Sequence, residues 1–474
     1  MTAVAAPPPA NPDEGRSTLS TKIVGLYVFL LFCRILEMLG MFGLGNLRLM
    51  MLVTTIALVA AILTGNLIRA LKTEIGVLLV LWTSWMLISM PFGTWRSESL
   101  NQFANLWLKS LLVFFIVVGL AGTRPAFQRA MSAMGWAAMA AAVLVLPGLA
   151  NAGGGNGVDD RLIGFGTLSN PNEIAFHLWL GISFLVLLAV RGKGIKRLLL
   201  GGVCLLEMFL IVKTVSREGL LIGAVVILLA LMRAPAMDKA KIVVAVSVLC
   251  VVGLLTLSQP SLDRYLTLFT SHVNGEAAAS ARESSRSREQ KLRESVELTL
   301  RNPLFGVGMG VFMPASVGLA KEKGGPVDWQ ASHNSYTQVS SELGIPGILI
   351  LLAIFASALR QVWRIDREAK RAARDNVRQY AFTILVAIVV LLMHFCVDSM
   401  AYLFYMPLIA GLATALAMTE GPEFATEGQP AIAAPERAVR ELAAMHPSAA
   451  PAIATAVGER NPYRFGRRRS SALR

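Results

Sequence analysis

Charge is scarce in this sequence: 16% of its 474 residues are Asp, Glu, Lys or Arg, against roughly 25% in soluble proteins. Histidine is scarcer, with five residues in all, and the cysteines number four: Cys33, Cys204, Cys250 and Cys396. All four cysteines lie inside apolar runs and none forms a Cys-x-x-Cys pair. That argues against a zinc site or disulfide framework, and they read as small hydrophobes. The polar, Ala- and Pro-rich opening Met1–Ser20 lacks the apolar core and cleavage site of a signal peptide, and reads as a cytoplasmic tail. A phosphate loop is missing too. Asn302–Gly310 (NPLFGVGMG) has glycines, but no strand precedes it and no Lys-Ser/Thr follows. It reads as a tight turn.

What is present is apolar. Hydrophobic residues make up 55% of the chain and the mean hydropathy is +0.59, too much to hide in cores of ordinary size. They come in runs of about 17–25 residues, the length of membrane helices. Such runs lie near 23–43, 49–65, 75–91, 104–121, 129–148, 173–190, 198–212, 218–232, 241–257, 335–358, 380–396 and 399–418. The expected fold is therefore all-α, a polytopic integral membrane protein of about 12 transmembrane helices with one large periplasmic loop. With the N-terminus inside, Lys and Arg crowd the cytoplasmic loops (Arg69, Lys72; Arg124, Arg129; Arg191–Arg197; Arg233–Lys241; Arg360–Arg378) and thin out in the outer ones. This is the positive-inside pattern, and it puts both termini in the cytoplasm.

The expected organisation is a cytoplasmic tail over 1–22, helices 1–9 over 23–257, a long outer loop over 258–334, helices 10–12 over 335–418 and a disordered cytoplasmic tail over 419–474. In the long loop, Ser285–Leu300 has helical periodicity, with Leu292, Val296 and Leu300 on one stripe. A helix lying at the membrane interface fits, as does a small helix packed on its own loop. The outer loop Asn151–Asp160 is glycine-rich and expected to be mobile. The net charge of +14 lies in loops, with no basic face interleaved with aromatics, so a nucleic-acid partner is not expected.

Polar chemistry concentrates at outer helix ends. His333 sits in Ser332–Gly347 (SHNSYTQVSSELGIPG), where helical spacing puts His333, Tyr336, Thr337 and Ser340 on one face. Such a stripe either lines a wet cavity or caps and anchors the helix. Gly344 and Gly347 allow close helix approach, and Pro346 is expected to kink the span. Arg217 (in TVSREG), Arg288 and Arg161 face the same side. Guanidiniums at an apolar boundary either grip a phosphate or diphosphate or snorkel to headgroups. Asn170, Pro171 and Glu173 make a helix start, with Asn172 free to point into an outer cavity.

These segments, in this order, resemble the O-antigen ligase and Wzy-type polysaccharide polymerase superfamily over roughly residues 160–415. The residues that carry the resemblance are NPNE at Asn170–Glu173, Ser-Arg-x-Gly at Ser216–Gly219, the Arg288 helix followed by NPLFGVGMGVF, and SHNSYTQVSSELGIPG. Leu292 stands where a Trp is common in the family, and Ser-Tyr-Thr follows the His-Asn pair where Leu is frequent. The resemblance implies an inverting, metal-independent membrane glycosyltransferase without cofactor, in the bacterial inner membrane with its site facing the periplasm. Its donor would be a polyprenyl-diphosphate-linked glycan. Its acceptor would be a lipid A core or, for a polymerase, a second carrier-linked glycan. By the same resemblance His333 would be the general base, Arg217, Arg288 and Arg161 would hold the diphosphate, and Asn334, Tyr336, Glu342 and Asn172 would orient base or substrate. A lipid-linked-sugar transporter or flippase is the alternative of another class. It calls for intramembrane charges in matching halves, and Arg34, Lys109 and Glu207 do not recur that way.

Overall fold

The computed structural model describes residues 12–41, 48–151, 161–270, 272–325 and 327–427. The glycine-rich loop, the first residues of the N-terminal tail and the C-terminal tail from 428 lie outside them. The chain divides into two units, Met1–Glu420 and Gly421–Arg474. The described part of the second is the end of one helix.

Among the described residues the structure is helical throughout, without strands. The helices are α1 (Pro12–Cys33), α2 (Ile35–Met41), α3 (Leu49–Leu63), α4 (Asn66–Leu71), α5 (Glu74–Ser89), α6 (Arg96–Gln102), α7 (Leu108–Leu120), α8 (Arg124–Val145), α9 (Gly148–Asn151), α10 (Pro171–Arg191), α11 (Gly194–Lys213), α12 (Arg217–Arg233) and α13 (Ala236–Thr256). After them come α14 (Gln259–Leu266), α15 (Glu276–Arg301), α16 (Phe312–Glu322), α17 (Ser335–Arg371), α18 (Asp375–His394) and α19 (Tyr405–Glu427). Seven segments are long and apolar enough to cross a membrane: Glu74–Phe92, Arg96–Leu120, Arg124–Ala150, Pro171–Arg191, Ala236–Thr256, Ser335–Arg371 and Asp375–His394. Leu19–Cys33 and Ile35–Met41, bent by 55°, make an eighth if they form one broken span. The other sequence-predicted spans fall on α3, α11, α12 and α19. Of these, α3 has 15 residues and α12 has 17, short of the ~20 that cross a bilayer untilted.

The exposed surface fits a membrane protein. Along α13 only Gly253 is buried, while Val243, Val244, Val248, Val251, Leu254 and Leu255 are open. A face of that kind is stable in lipid and not in water. The centre of the bundle is α10, whose residues from Ile174 to Leu185 are buried without interruption. It packs against α8, α11, α12 and α18.

The segment expected as a long loop is largely helical. α14, α15 and α16 fill it, and α15 starts at Glu276, nine residues before the periodic stretch. Its apolar stripe faces outward: Leu292, Val296 and Leu300 are exposed, whereas Lys291, Ser295 and Leu298 are buried. The buried ammonium is satisfied by Glu294 Oε2 (3.0 Å), Ser316 Oγ (3.0 Å) and Asp328 O (3.2 Å).

After α15 the chain makes the expected tight turn, with Gly306, Gly308 and Gly310 at φ of 68°, 111° and 70°. This turn docks into a break in α17. The break falls at Gly344 (φ 71°, ψ −175°), two residues before Pro346. Ser341 O accepts from Val307 N (2.8 Å), Glu342 O from Gly308 N (3.0 Å), and Pro303 O from Ile345 N (2.7 Å). A Cβ on Gly306 would lie 2.3 Å from the Glu342 carbonyl carbon. Replacing Gly306 by Ala therefore adds a backbone clash to an unfavourable φ, and costs more than about 1 kcal/mol. Thermal melts of purified protein should show a clear fall for Gly306→Ala. Gly318→Ala, in α16 with nothing within 4 Å, should melt no lower than wild type.

Candidate functional site

One cavity of about 640 Å³ gathers most of the polar residues singled out in the sequence. His333, Arg217, Arg288, Arg161 and Asn172 all line it. They come from five separate places: the segment before α10, the starts of α10 and α12, the helix α15, and the loop before α17. Sequence reasoning did not identify four other lining residues, Glu218, Arg264, Arg286 and Asp328.

The cavity floor is built by capping. Asn170 caps α10 through Asn172 N (2.9 Å), and Ser216 caps α12 through Gly219 N (3.1 Å). Asn172 Oδ1 ties the two starts together, accepting from Ser216 Oγ (2.8 Å) and Arg161 Nη2 (3.4 Å). Arg161 Nε also donates to Thr214 O (3.0 Å). Two helix N-termini thus open on one cavity, where their unpaired N–H groups and partial positive charge favour an anion. Val215 between them has φ of 49°, a costly conformation for a β-branched residue.

Arg217 leaves the first turn of α12 and reaches α15. Nη2 donates to Ala281 O (3.0 Å) and Ser285 Oγ (2.9 Å), and Nη1 lies 3.5 Å from Thr267 Oγ1. Arg288 makes no hydrogen bond or ion pair among the described residues. Neither guanidinium forms an ion pair with a carboxylate among the described residues, and Arg217 feels the like charges of Arg264 and Arg288. Such a set is suited to hold a multiply charged anion.

His333 stands before the helix and not on it. Asn334 caps α17, accepting from Thr337 N (3.0 Å), so the helical phase starts after the histidine. The shared face expected for His333 with Tyr336, Thr337 and Ser340 does not form. Instead the loop is fastened to the end of α18. Ser335 N donates to Phe395 O (2.8 Å), Ser335 Oγ to Asp398 O (2.7 Å), Asn334 Nδ2 to Cys396 O (3.0 Å), and Ser332 Oγ contacts Ser399 Oγ (2.8 Å). These bonds hold His333 at φ of 52°, a strained backbone kept at the cavity wall. Burial, then the charge of Arg288, pushes its imidazole below the ordinary value, against the opposing pull of Asp398 and Asp328.

Asn334, Tyr336 and Glu342 do not line the cavity. Asn334 is the cap just described. Tyr336 Oη donates to Leu392 O (2.9 Å), fixing α17 to α18. Glu342 is buried beneath the glycine turn, where Oε1 accepts from Phe312 N (3.1 Å).

Glu218 joins the cavity to a buried histidine. Its Oε1 is hydrogen-bonded to His394 Nδ1. The ring stacks on Phe176 at 3.8 Å, and Nε2 lies 3.0 Å from Met400 Sδ and 3.7 Å from Asp398 Oδ2. No sequence spacing connects residues 218 and 394, so this pairing was not readable beforehand.

Anchoring and anion binding are separable. Tyr336→Phe removes one buried hydrogen bond, about 1 kcal/mol, and should lower the melting temperature while leaving the affinity for inorganic pyrophosphate unchanged. Arg288→Gln should do the reverse, weakening pyrophosphate about tenfold with no change in melting. Calorimetric titration and melting of both variants check this.

Residues 200–352 match the family model described as O-antigen ligase. The match runs from α11 through α12 and α15 to the middle of α17, and so includes Arg217, Arg288 and His333. No curated protein matches the chain.

Proposed function

We propose, from the match of residues 200–352 to the O-antigen ligase family model, that this protein transfers a glycan from a polyprenyl-diphosphate carrier to an acceptor hydroxyl. The proposed setting is the periplasmic face of a bacterial inner membrane, with twelve spans and both termini cytoplasmic. The acceptor proposed is a lipid A core. The observation that carries the reading is the convergence of His333 with Arg217 and Arg288 on one cavity.

In the proposed reaction the acceptor oxygen attacks the anomeric carbon while His333 takes its proton. The bond from that carbon to the diphosphate oxygen breaks, and its electron pair leaves with the diphosphate. Inversion at the anomeric carbon follows from a single displacement. Arg217 and Arg288 stabilise the charge that grows on the leaving group, with Arg161 and the N-termini of α10 and α12 behind them. Asn172 holds Arg161 and Ser216 in place. Asn334 positions His333 by capping α17, and Tyr336 and Glu342 act further away, through the helix contacts they make.

His333→Ala should abolish transfer, by about 10² or more, with membrane insertion intact. Normal product from that variant would remove His333 from the mechanism. Arg217→Lys should slow transfer, since an ammonium cannot reproduce the planar fork. The pH profile gives a second check. The active base is the neutral imidazole, populated above its pKa. That pKa lies below the ordinary histidine value in the free protein, so kcat/KM, which reports the free protein, should fall only when pH drops below about 6.5. Asp328 raises the pKa, so Asp328→Asn should move the acid limb to still lower pH. Reconstitution with one polyprenyl-diphosphate glycan and two acceptors, a lipid A core and a second carrier-linked glycan, separates ligase from polymerase. Product on the second acceptor alone would assign polymerisation.

A further inference from the structure

A second cavity of about 430 Å³ adjoins the first and shares Arg217 and Arg286 with it. Arg282 is the third guanidinium on its wall, beside Thr267, Ser285 and Phe269, and no carboxylate among the described residues lines it. The larger cavity is different, since Glu218, Glu283 and Asp328 stand among its arginines. A mixed lining suits the many hydroxyls of a glycan, whereas a wall of cations alone selects an anion.

The arginines here have little else to do. Arg286 donates no hydrogen bond to, and forms no ion pair with, any described residue, and Arg282 spends one N–H on Val273 O (2.7 Å). The two stand four residues apart on α15, so they share a face, where like charges destabilise a helix. Arg217 approaches the same face, held by a carbonyl and two hydroxyls and by no acid. The repulsion among the three is offset when an anion sits between them. Phe269, 82% exposed at the rim, adds an apolar surface.

We propose that this second cavity is an acceptor subsite that binds a phosphate or carboxylate carried by the acceptor glycan. The proposal rests on the transfer reading above. In that reading the donor diphosphate occupies the larger cavity beside His333. Arg217 forms a wall common to both cavities, so an acceptor anchored by its anion has its neighbouring hydroxyls presented toward the base. Acceptors lacking the anion lose that anchor.

The test uses the full chain in nanodiscs of phosphatidylcholine. The probes are a soluble oligosaccharide bearing one phosphomonoester, the same compound after phosphatase treatment, and inorganic pyrophosphate. Wild type should bind the phosphorylated compound about tenfold tighter than its treated twin. Arg282→Gln, at the one arginine of the three that lines the second cavity and not the first, should lose that preference while binding pyrophosphate within about twofold of wild type, since its half-buried side chain makes one hydrogen bond and its loss should not disturb the fold. In the transfer assay the variant should raise KM for the phosphorylated acceptor about tenfold, with kcat and the donor KM little changed. Equal wild-type binding of the two oligosaccharides, or a preference that survives in the variant, overturns the proposal. So does a raised donor KM, which would assign Arg282 to the donor. Loss of the preference when phosphatidylglycerol replaces part of the phosphatidylcholine would assign the cavity to a lipid headgroup and overturn it too. If wild type binds with the expected preference but transfers from no polyprenyl-diphosphate donor, the transfer reading fails and the anion site stands.

Discussion

The arrangement depends on one defect in one helix. In a continuous α17 the carbonyl of Glu342 would accept from residue 346 and that of Ser341 from residue 345. Residue 346 is a proline and has no N–H to offer. Gly344, at positive φ, turns the N–H of Ile345 aside to Pro303 O. Two buried carbonyls are thereby freed, and Val307 and Gly308 fill them. Trp85 Nε1 takes the carbonyl of Leu343 (2.8 Å), and Trp82 Nε1 that of Gly347 (2.9 Å). Unpaired backbone groups at this depth are costly, so the break and the turn that heals it are required together. The turn ends α15, and α15 carries Arg282, Arg286 and Arg288. A proline and a glycine in one helix thus fix the place of three arginines on another.

A second fastening sets the histidine opposite them. The segment from Ser332 to Ser335 spends its hydroxyls and amides on residues 395–400. Strained backbone persists where its surroundings overdetermine it, and His333 at φ of 52° meets that condition. Under the proposed function, mobility here would cost geometry, because proton abstraction tolerates little displacement.

Local signals in the sequence were legible where the physics is local. Asn170 and Pro171 announced the start of α10, and the glycines of NPLFGVGMG announced a turn. Periodicity was legible only in part. It marked Leu292, Val296 and Leu300 as a stripe on α15, but a stripe has no label saying which side is the core. The buried side turned out to be the one with Lys291, because Glu294, Ser316 and the Asp328 carbonyl together replace its water. The face drawn through His333 failed for a different reason: Asn334 is the cap and the helix starts at Ser335, two residues after the histidine. The role expected of Glu342 lay outside the cavity because the break at Gly344 claims it for the turn. Long-range pairs such as Glu218 with His394, and Arg217 with Ser285, arise from packing that no spacing encodes.

The electrostatics of the cavity tie the two proposed roles to each other. The charge of Arg288 helps keep the His333 imidazole neutral, ready to accept a proton but a weaker base for it. A diphosphate seated on Arg288 would cancel that charge and add its own. Opposite charge nearby favours the protonated ring. Under the proposed function, donor binding therefore strengthens the base that the acceptor needs, and only when the leaving group is in place. In the same reading the free protein keeps a weak base beside a wet cavity, where a strong one would promote attack by water. The pairing of a histidine depressed by burial and by Arg288 with an anionic donor would thus favour transfer over hydrolysis, since the proposed proton acceptor gains strength as the diphosphate and its glycan fill the space that water would occupy.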